Sequence, residues 1–284
     1  MAYLSDASGH STKMGRLLHE AAQDSDLDET VAWLFENLEI PSDEGMNRYV
    51  TEIERLKEDN ISILHFFDDV YPKQLRTIPD PPLILYLKGD HIDFSNCIAI
   101  SGSRDPSHHG HRAAREFGRS FAGQGITVVA GFARGVDLDA HIGALDAGGR
   151  TYAILPSSIS DIYPKENSRL ADDVVENGLL ISEMSSFEKM NRLSFIRRNR
   201  ITTGLSRCLV LGESDGTGGT LQQFKIAMKQ GRPVFAMRPD GRDNRAMKGF
   251  DRFVRDGAVP VDDGEDVLTL LERRPMGQVT LGEY

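Results

Sequence analysis

Residues 98–110 read IAISGSRDPSHHG and residues 125–140 read GITVVAGFARGVDLDA. Each is a short apolar run ending in a glycine-led turn with an arginine: Gly102-Ser103-Arg104 in one, Gly131-Phe132-Ala133-Arg134-Gly135 in the other. Runs such as Cys97–Ile100 and Ile126–Ala130, apolar without alternation, suit parallel strands covered on both faces. Open α/β sheets bind ligands outside the carboxyl ends of their strands. Glycine lets backbone N–H groups approach an anion, and arginine offers a phosphate a planar fork of donors. Two such turns in one sheet point to a phosphorylated partner.

The alternation continues along the chain. Further strands are expected at Thr151–Leu155, Leu179–Ser182, Cys208–Gly212 and Val234–Met237. Helical patterns fill the gaps at His109–Gln124, Asp137–Ala147, Glu166–Glu176, Arg197–Gly204 and Thr220–Gln230. Short apolar strands joined by helical crossovers predict an α/β fold with a doubly wound, mostly parallel sheet of Rossmann-like type. Leu83–Leu87 reads as an edge strand or a lead-in to that sheet. After Pro239 the pattern is polar and irregular, with one short helix near Glu265–Glu272.

Residues 1–60 read differently, as a small acidic helical domain ahead of the sheet domain of residues 61–284. Helices are expected at Lys13–Gln23, Leu27–Leu38 and Asp43–Glu58, with Trp33, Leu34, Leu38, Tyr49, Ile53 and Leu56 as a small core. This segment holds 14 acidic and 5 basic side chains, a net −9 of the chain's −10. The remainder is therefore nearly neutral, and within it Lys189–Gly212 carries six arginines and lysines with no acidic residue. Such a stretch can bind phosphates whatever the global charge, because exposed charges beyond about 8–10 Å are screened at physiological salt. The alternative is a solvated helix face.

No apolar run approaches the roughly 18 residues of a membrane span, and the first residues do not resemble a signal peptide. A cytoplasmic protein without a membrane partner is expected. Cys97 and Cys208 each open an apolar strand and read as small buried hydrophobes rather than a disulfide or metal pair.

Ser103 and Arg104 would project from the first strand's end. His108, His109 and His111 are close in sequence, but no carboxylate or thiol cluster joins them, so no metal site is assigned. Asp137 suits a helix N-cap, and His141, four residues on, could share a hydrogen bond with it. Lacking a nucleophile, this pair is assigned to orienting the arginine loop, and no catalytic residue is assigned. Lys165 and Asn167, in Tyr163-Pro164-Lys165-Glu166-Asn167, fall on the ligand side. Phe195, Arg197, Arg198, Asn199 and Arg200 end the loop after the fourth strand, where a ring could stack a base while arginines track a backbone. Phe195 could equally be a core anchor. Gly218, Gly219 and Thr220, in Gly216-Thr217-Gly218-Gly219-Thr220, open a helix with free N–H groups for an anion. No lysine follows those glycines, which argues against an ATPase, and no cofactor is assigned.

Taken together, these residues resemble the DprA/Smf family (DNA-processing protein A) from about Tyr71 to Leu268. The strings YPKQLRTIPDPPLILYLKGD, IAISGSR, VVAGFARGVDLDAHIGAL, YPKEN, LLISE, FIRRNRITTGLS and GRPVFAM occur in the family's order. The resemblance implies an extended Rossmann-like fold that binds single-stranded DNA and loads a RecA-type recombinase during natural transformation, as a homodimer. It assigns Arg104 and the Arg198–Arg200 stretch to the DNA groove. Two departures stand out. The turn Asp215–Thr220 resembles that of the related phosphoribohydrolases, whose catalytic glutamate is here Gln223, an amide that cannot exchange a proton near neutral pH. A nucleotide-binding sensor or phosphoribohydrolase-like protein, with a place in phage defence, is the alternative reading. The tail after Pro239 is also too short for the winged helix with which many members end.

Overall fold

The computed structural model describes residues 43–273. The expected helices Lys13–Gln23 and Leu27–Leu38, with Trp33, Leu34 and Leu38, lie outside the described residues. In chain order the elements are α1 (Asp43–Glu58), β1 (Ile61–His65), α2 (Lys73–Arg76), β2 (Ile84–Lys88), β3 (Cys97–Ser101) and α3 (His108–Gly123). There follow β4 (Thr127–Ala130), α4 (Val136–Asp146), β5 (Thr151–Ile154), a 3-10 turn (Lys165–Asn167), α5 (Ser168–Asn177), β6 (Gly178–Ser182) and α6 (Arg192–Gly204). The last are β7 (Leu209–Leu211), α7 (Gly218–Lys229), β8 (Val234–Met237), α8 (Asn244–Arg255), β9 (Val259–Val261) and α9 (Gly264–Glu272).

These strands form one nine-stranded sheet in the order β1-β2-β6-β5-β4-β3-β7-β8-β9. From β6 to β9 every pairing is parallel, and β2 and β1 extend the sheet antiparallel at one edge. The chain winds outward from β3 through β4, β5 and β6, then returns to β3's other side with β7. That reversal is the topological switch point, where the connections on the two sides of β3 diverge and leave a crevice.

Strand period decides which face each side chain serves. Ile98 and Ile100 pack with Phe117 and Phe121 of α3 and Ala140 of α4, while Ala99 between them packs with Leu209, Phe224 of α7 and Phe253 of α8. Both faces are therefore covered, which is why β3 to β7 show no polar alternation. Leu85 and Leu87 of β2 are equally buried, so the run expected at the edge lies one strand inside it.

Three expectations need correction. The segment after Pro239 is regular: Asp243 caps α8 by accepting from the Arg245 and Ala246 N–H groups, and β9 adds a strand to the sheet. Helix α6 starts at Arg192, not Arg197, because the Asn191 carboxamide accepts from Leu193 and Ser194 N–H while the Ser194 hydroxyl accepts from Asn191 N–H. That reciprocal cap draws Phe195 out of the expected loop and into the first helical turn. Finally, Leu56 of α1 is buried with Ile61, Leu64 and Leu85 in the sheet's own hydrophobic cluster. One buried leucine is worth about 1.5–3 kcal/mol, which holds α1 to the sheet.

Candidate functional site

The carboxyl ends of β3, β4 and β5 and the first turns of α6 enclose a pocket of about 310 Å³. Arg104 reaches it from the turn after β3, and Phe132 and Arg134 from the turn after β4. Tyr163, Pro164, Glu166 and Asn167 come from the loop after β5, and Phe195 and Arg198 from α6. Arg104 and Arg134 are exposed, whereas the Arg198 side chain retains only 8% exposure. The Arg104 guanidinium lies 5.5 Å from the centre of the Phe195 ring, and Tyr163 meets that ring edge-on at 5.8 Å. Cation and rings thus form one continuous surface at the mouth.

Beneath this surface sits Asp137. It does not cap α4, where Gly135 holds that position, and it makes no bond to His141. Its carboxylate faces the Gly102 and Ala133 N–H groups and lies 3.8 Å from Arg198 Nη1. Burial pushes this carboxyl above its usual range, with Arg198, Arg104 and the two N–H donors pulling against that shift. The same burial lowers the Arg198 guanidinium, which Asp137 partly offsets.

Asp137 thereby corrects the expected role of the glycine turns. In the turns expected to cradle a phosphate, the Gly102 and Ala133 N–H groups face an internal carboxylate. Ser103 is likewise a builder of its turn: its N–H donates to the Glu213 carbonyl (2.7 Å), its carbonyl accepts from Val136 N–H, and its hydroxyl accepts from Asp105 N–H. Gly131 is buried, and a Cβ there would strike the Arg198 guanidinium and the Asp137 carboxylate. The glycine makes room for the Arg198 guanidinium. His141, fully buried, has its imidazole pushed down to about 4. Neutral, it donates from Nε2 to the Gly131 carbonyl (2.6 Å), and its Nδ1 faces the Thr151 hydroxyl (2.6 Å). Asp137 and His141 both brace the turn after β4, as does Asn167, whose amide donates to the Phe132 carbonyl (2.8 Å).

Other expected residues fall elsewhere. Arg200 is buried beside Glu183 (2.7 Å) and Asp80 (3.2 Å), so its charge is spent inside the fold and does not join Arg104. Asn199 is buried one residue earlier, and Arg197, half-buried, faces Glu188 at 4.0 Å. Lys165 is exposed and only loosely paired with Asp161 at 3.9 Å. Gly218 and Gly219 stand open to solvent at the start of α7, while Thr220 is buried. Gln223 is buried too, its amide oxygen accepting from the Ser101 hydroxyl at 3.2 Å. His109 meets the Arg238 carbonyl and His111 meets Asp139, and among the described residues no group of three metal-binding side chains is placed to hold an ion. The sequence reading left Tyr163 and Phe132 out of the site. An aromatic beside a proline on the ligand side, Tyr163-Pro164, was the available signal.

A sequence model of the family described as DNA recombination-mediator protein A matches residues 62–272. The chain belongs to the DprA family. It is 34% identical over 229 residues to protein Smf of Synechocystis, covering 79% of this chain and 57% of that protein. With DNA processing protein DprA of Streptococcus pneumoniae it shares 34% over 207 residues, 72% of each. The X-ray structure of the pneumococcal DprA superposes with a TM-score of 0.77 at 28% identity, covering 94% of this chain and 96% of that one. A structure of DprA from Helicobacter pylori, described for its single-stranded DNA binding mode, gives a TM-score of 0.66 at 26% identity over 75% of this chain and 95% of that one. This DprA chain spans a little under three-fifths of the length of the Synechocystis and Escherichia coli Smf proteins. Among the described residues no helix is long and apolar enough to cross a membrane.

Proposed function

We propose that this chain binds single-stranded DNA across the mouth of the Arg104–Phe195 pocket and passes it to a RecA-type recombinase, as a cytoplasmic homodimer serving transformation or recombination. The observation that carries the DNA reading is the pairing of two exposed arginines, Arg104 and Arg134, with the partly exposed rings of Phe195 and Tyr163 around one opening at the strand ends. Guanidiniums neutralise phosphates and rings stack bases of any sequence, the two ingredients of sequence-tolerant single-strand binding. Recombinase loading, the dimer and the pathway rest on family membership.

The chain acts as a binding protein and not as an enzyme. Gln223 has no proton to exchange near neutral pH, and its amide oxygen is tied to Ser101. His141, its lone pair turned to Thr151 inside the fold, is out of a substrate's reach.

The test is titration of a labelled oligothymidine and of its duplex with oligoadenosine, followed by fluorescence polarisation. Preferential binding of the single strand, weakened by Arg104→Ala for every sequence alike, is expected. Absence of oligonucleotide binding at moderate salt contradicts the reading. Incubation with nucleoside monophosphates should release no base.

A further inference from the structure

Arg104 and Arg134 lie where a continuous strand can pass over them, but Arg198 does not. Its side chain is 8% exposed, yet it lines the pocket. Its Nε and Nη1 have no hydrogen-bond partner among the described residues, and Asp137, at 3.8 Å, is beyond hydrogen-bond reach of Nη1. That carboxylate also faces the Gly102 and Ala133 N–H groups. Nε and Nη1 are sealed beneath the pocket against Gly131 and Asp137, so the guanidinium meets the pocket through Nη2, which has no hydrogen-bond partner among the described residues and is the donor an anion there can reach.

Strand geometry decides which anion. An internal phosphodiester carries chain on both sides and one negative charge, so reaching a buried group requires the chain to double back on itself. A terminal phosphate monoester has a single attachment, about −1.5 to −2 charges at neutral pH and three free oxygens. The pocket, about 310 Å³, stands at the small end of the roughly 300–1,000 Å³ typical of ligand sites, room for one nucleotide and not for a run of them. Pro156, Pro164, Tyr163 and Phe195 supply apolar wall against which one nucleoside can lie. The opposing charges are Glu166 at the mouth and Asp137 below, against three guanidiniums.

We propose that the pocket captures the phosphorylated end of a DNA strand, the terminal phosphate monoester bonding to Arg198 and the attached nucleoside resting against the apolar wall that Tyr163 and Phe195 form together. This rests on the single-strand reading of the same pocket and adds to it a preference for ends.

The test compares internally labelled oligothymidines of one length: 5′-phosphorylated, 3′-phosphorylated, hydroxyl at both ends, and circular. One phosphorylated end should bind about tenfold tighter than the hydroxyl-ended and circular forms, the worth of a charge-assisted hydrogen bond, and the arm that gains identifies the end. Thymidine monophosphate, but not thymidine, should compete for that advantage. Arg198→Lys, which keeps the charge and loses the planar guanidinium, should bring the phosphorylated forms down to the affinity that the same variant shows for the hydroxyl-ended and circular forms; Arg104→Ala should weaken all forms together and keep their ratio. Equal affinity for all four DNAs overturns the end preference and leaves single-strand binding standing, whereas absence of binding to any of them overturns both. Should Arg198→Lys fail to fold, the four-way comparison and the monophosphate competition on the wild-type protein decide the matter alone.

Discussion

The turns after β3 and β4 and the helix α6 carry the same side chain on the same side of the sheet, and use it in opposite ways. Arg104 and Arg134 are exposed, with no ion pair to either among the described residues. Arg200 is buried between two carboxylates, and Arg198 lies against a third. The backbone that presents each arginine makes the difference. A turn of two or three residues past a strand end aims its side chain at solvent, whereas an α6 residue is aimed by helix phase. Ile196 is exposed and Arg197 half-buried, but every residue from Arg198 to Gly204 is buried: Arg198 lies against Asp137, and Arg200, on the other side of the helix, against Glu183 and Asp80. A basic run in sequence is therefore not a basic surface.

The sharpest way to break this comparison is Arg200→Ala. Removing one member of a buried ion pair strands Glu183 and should cost about 3–5 kcal/mol in chemical denaturation. Loss of DNA affinity at unchanged stability would place Arg200 with the surface arginines instead.

Next in size is a pH effect beneath the turns. His141 has its folded pKa lowered to about 4 from 6.5, so its stabilisation is fully present above 6.5 and lost as pH falls toward 4. The linked loss is about 3 kcal/mol. Asp137 contributes with the opposite sign, since its raised folded pKa favours the protonated carboxyl in the fold. Stability curves for wild type and His141→Gln should therefore diverge over that window and run parallel above it.

The two glycine turns form a matched pair. Gly131→Ala drives a methyl into Arg198 and Asp137 and should cost about 1–3 kcal/mol. At Gly219 the added methyl meets open space, and Gly219→Ala should be neutral or stabilising by at most about 1 kcal/mol. Equal costs at both positions would mean that Arg198 is not fixed where the pocket needs it. At the mouth, Phe195→Ala should weaken oligothymidine binding by about 1–3 kcal/mol through lost stacking, with little change in melting temperature.

Much of the fold was legible because the parallel strands are buried on both faces: unbroken runs such as Cys97–Ile100 and Ile126–Ala130 leave few alternatives. The tail was misread because α8 announces itself through amphipathic spacing, Ala246, Gly249 and Phe253, rather than through an apolar run. The start of α6 was misread because Asn191-x-x-Ser194 is a less familiar capping pair than one ending in glutamate or glutamine. Of the site, the arginine turns could be read, since strand ends fix them. That Asp137 fills the anion cradle, that Gly131 accommodates Arg198, and that Arg200 pairs with Asp80 across 120 positions are contacts between distant segments. No local pattern encodes them.

The most direct measurement of the central claim is the salt dependence of oligothymidine binding for wild type and the Arg104→Ala, Arg134→Ala double variant. Each lost single-strand phosphate contact removes about 0.7 from the slope of log affinity against log salt. The double variant should therefore show a slope shallower by about 1.4, with its melting temperature unchanged. An identical slope in the two proteins would show that DNA does not pass over these arginines, and would contradict the account.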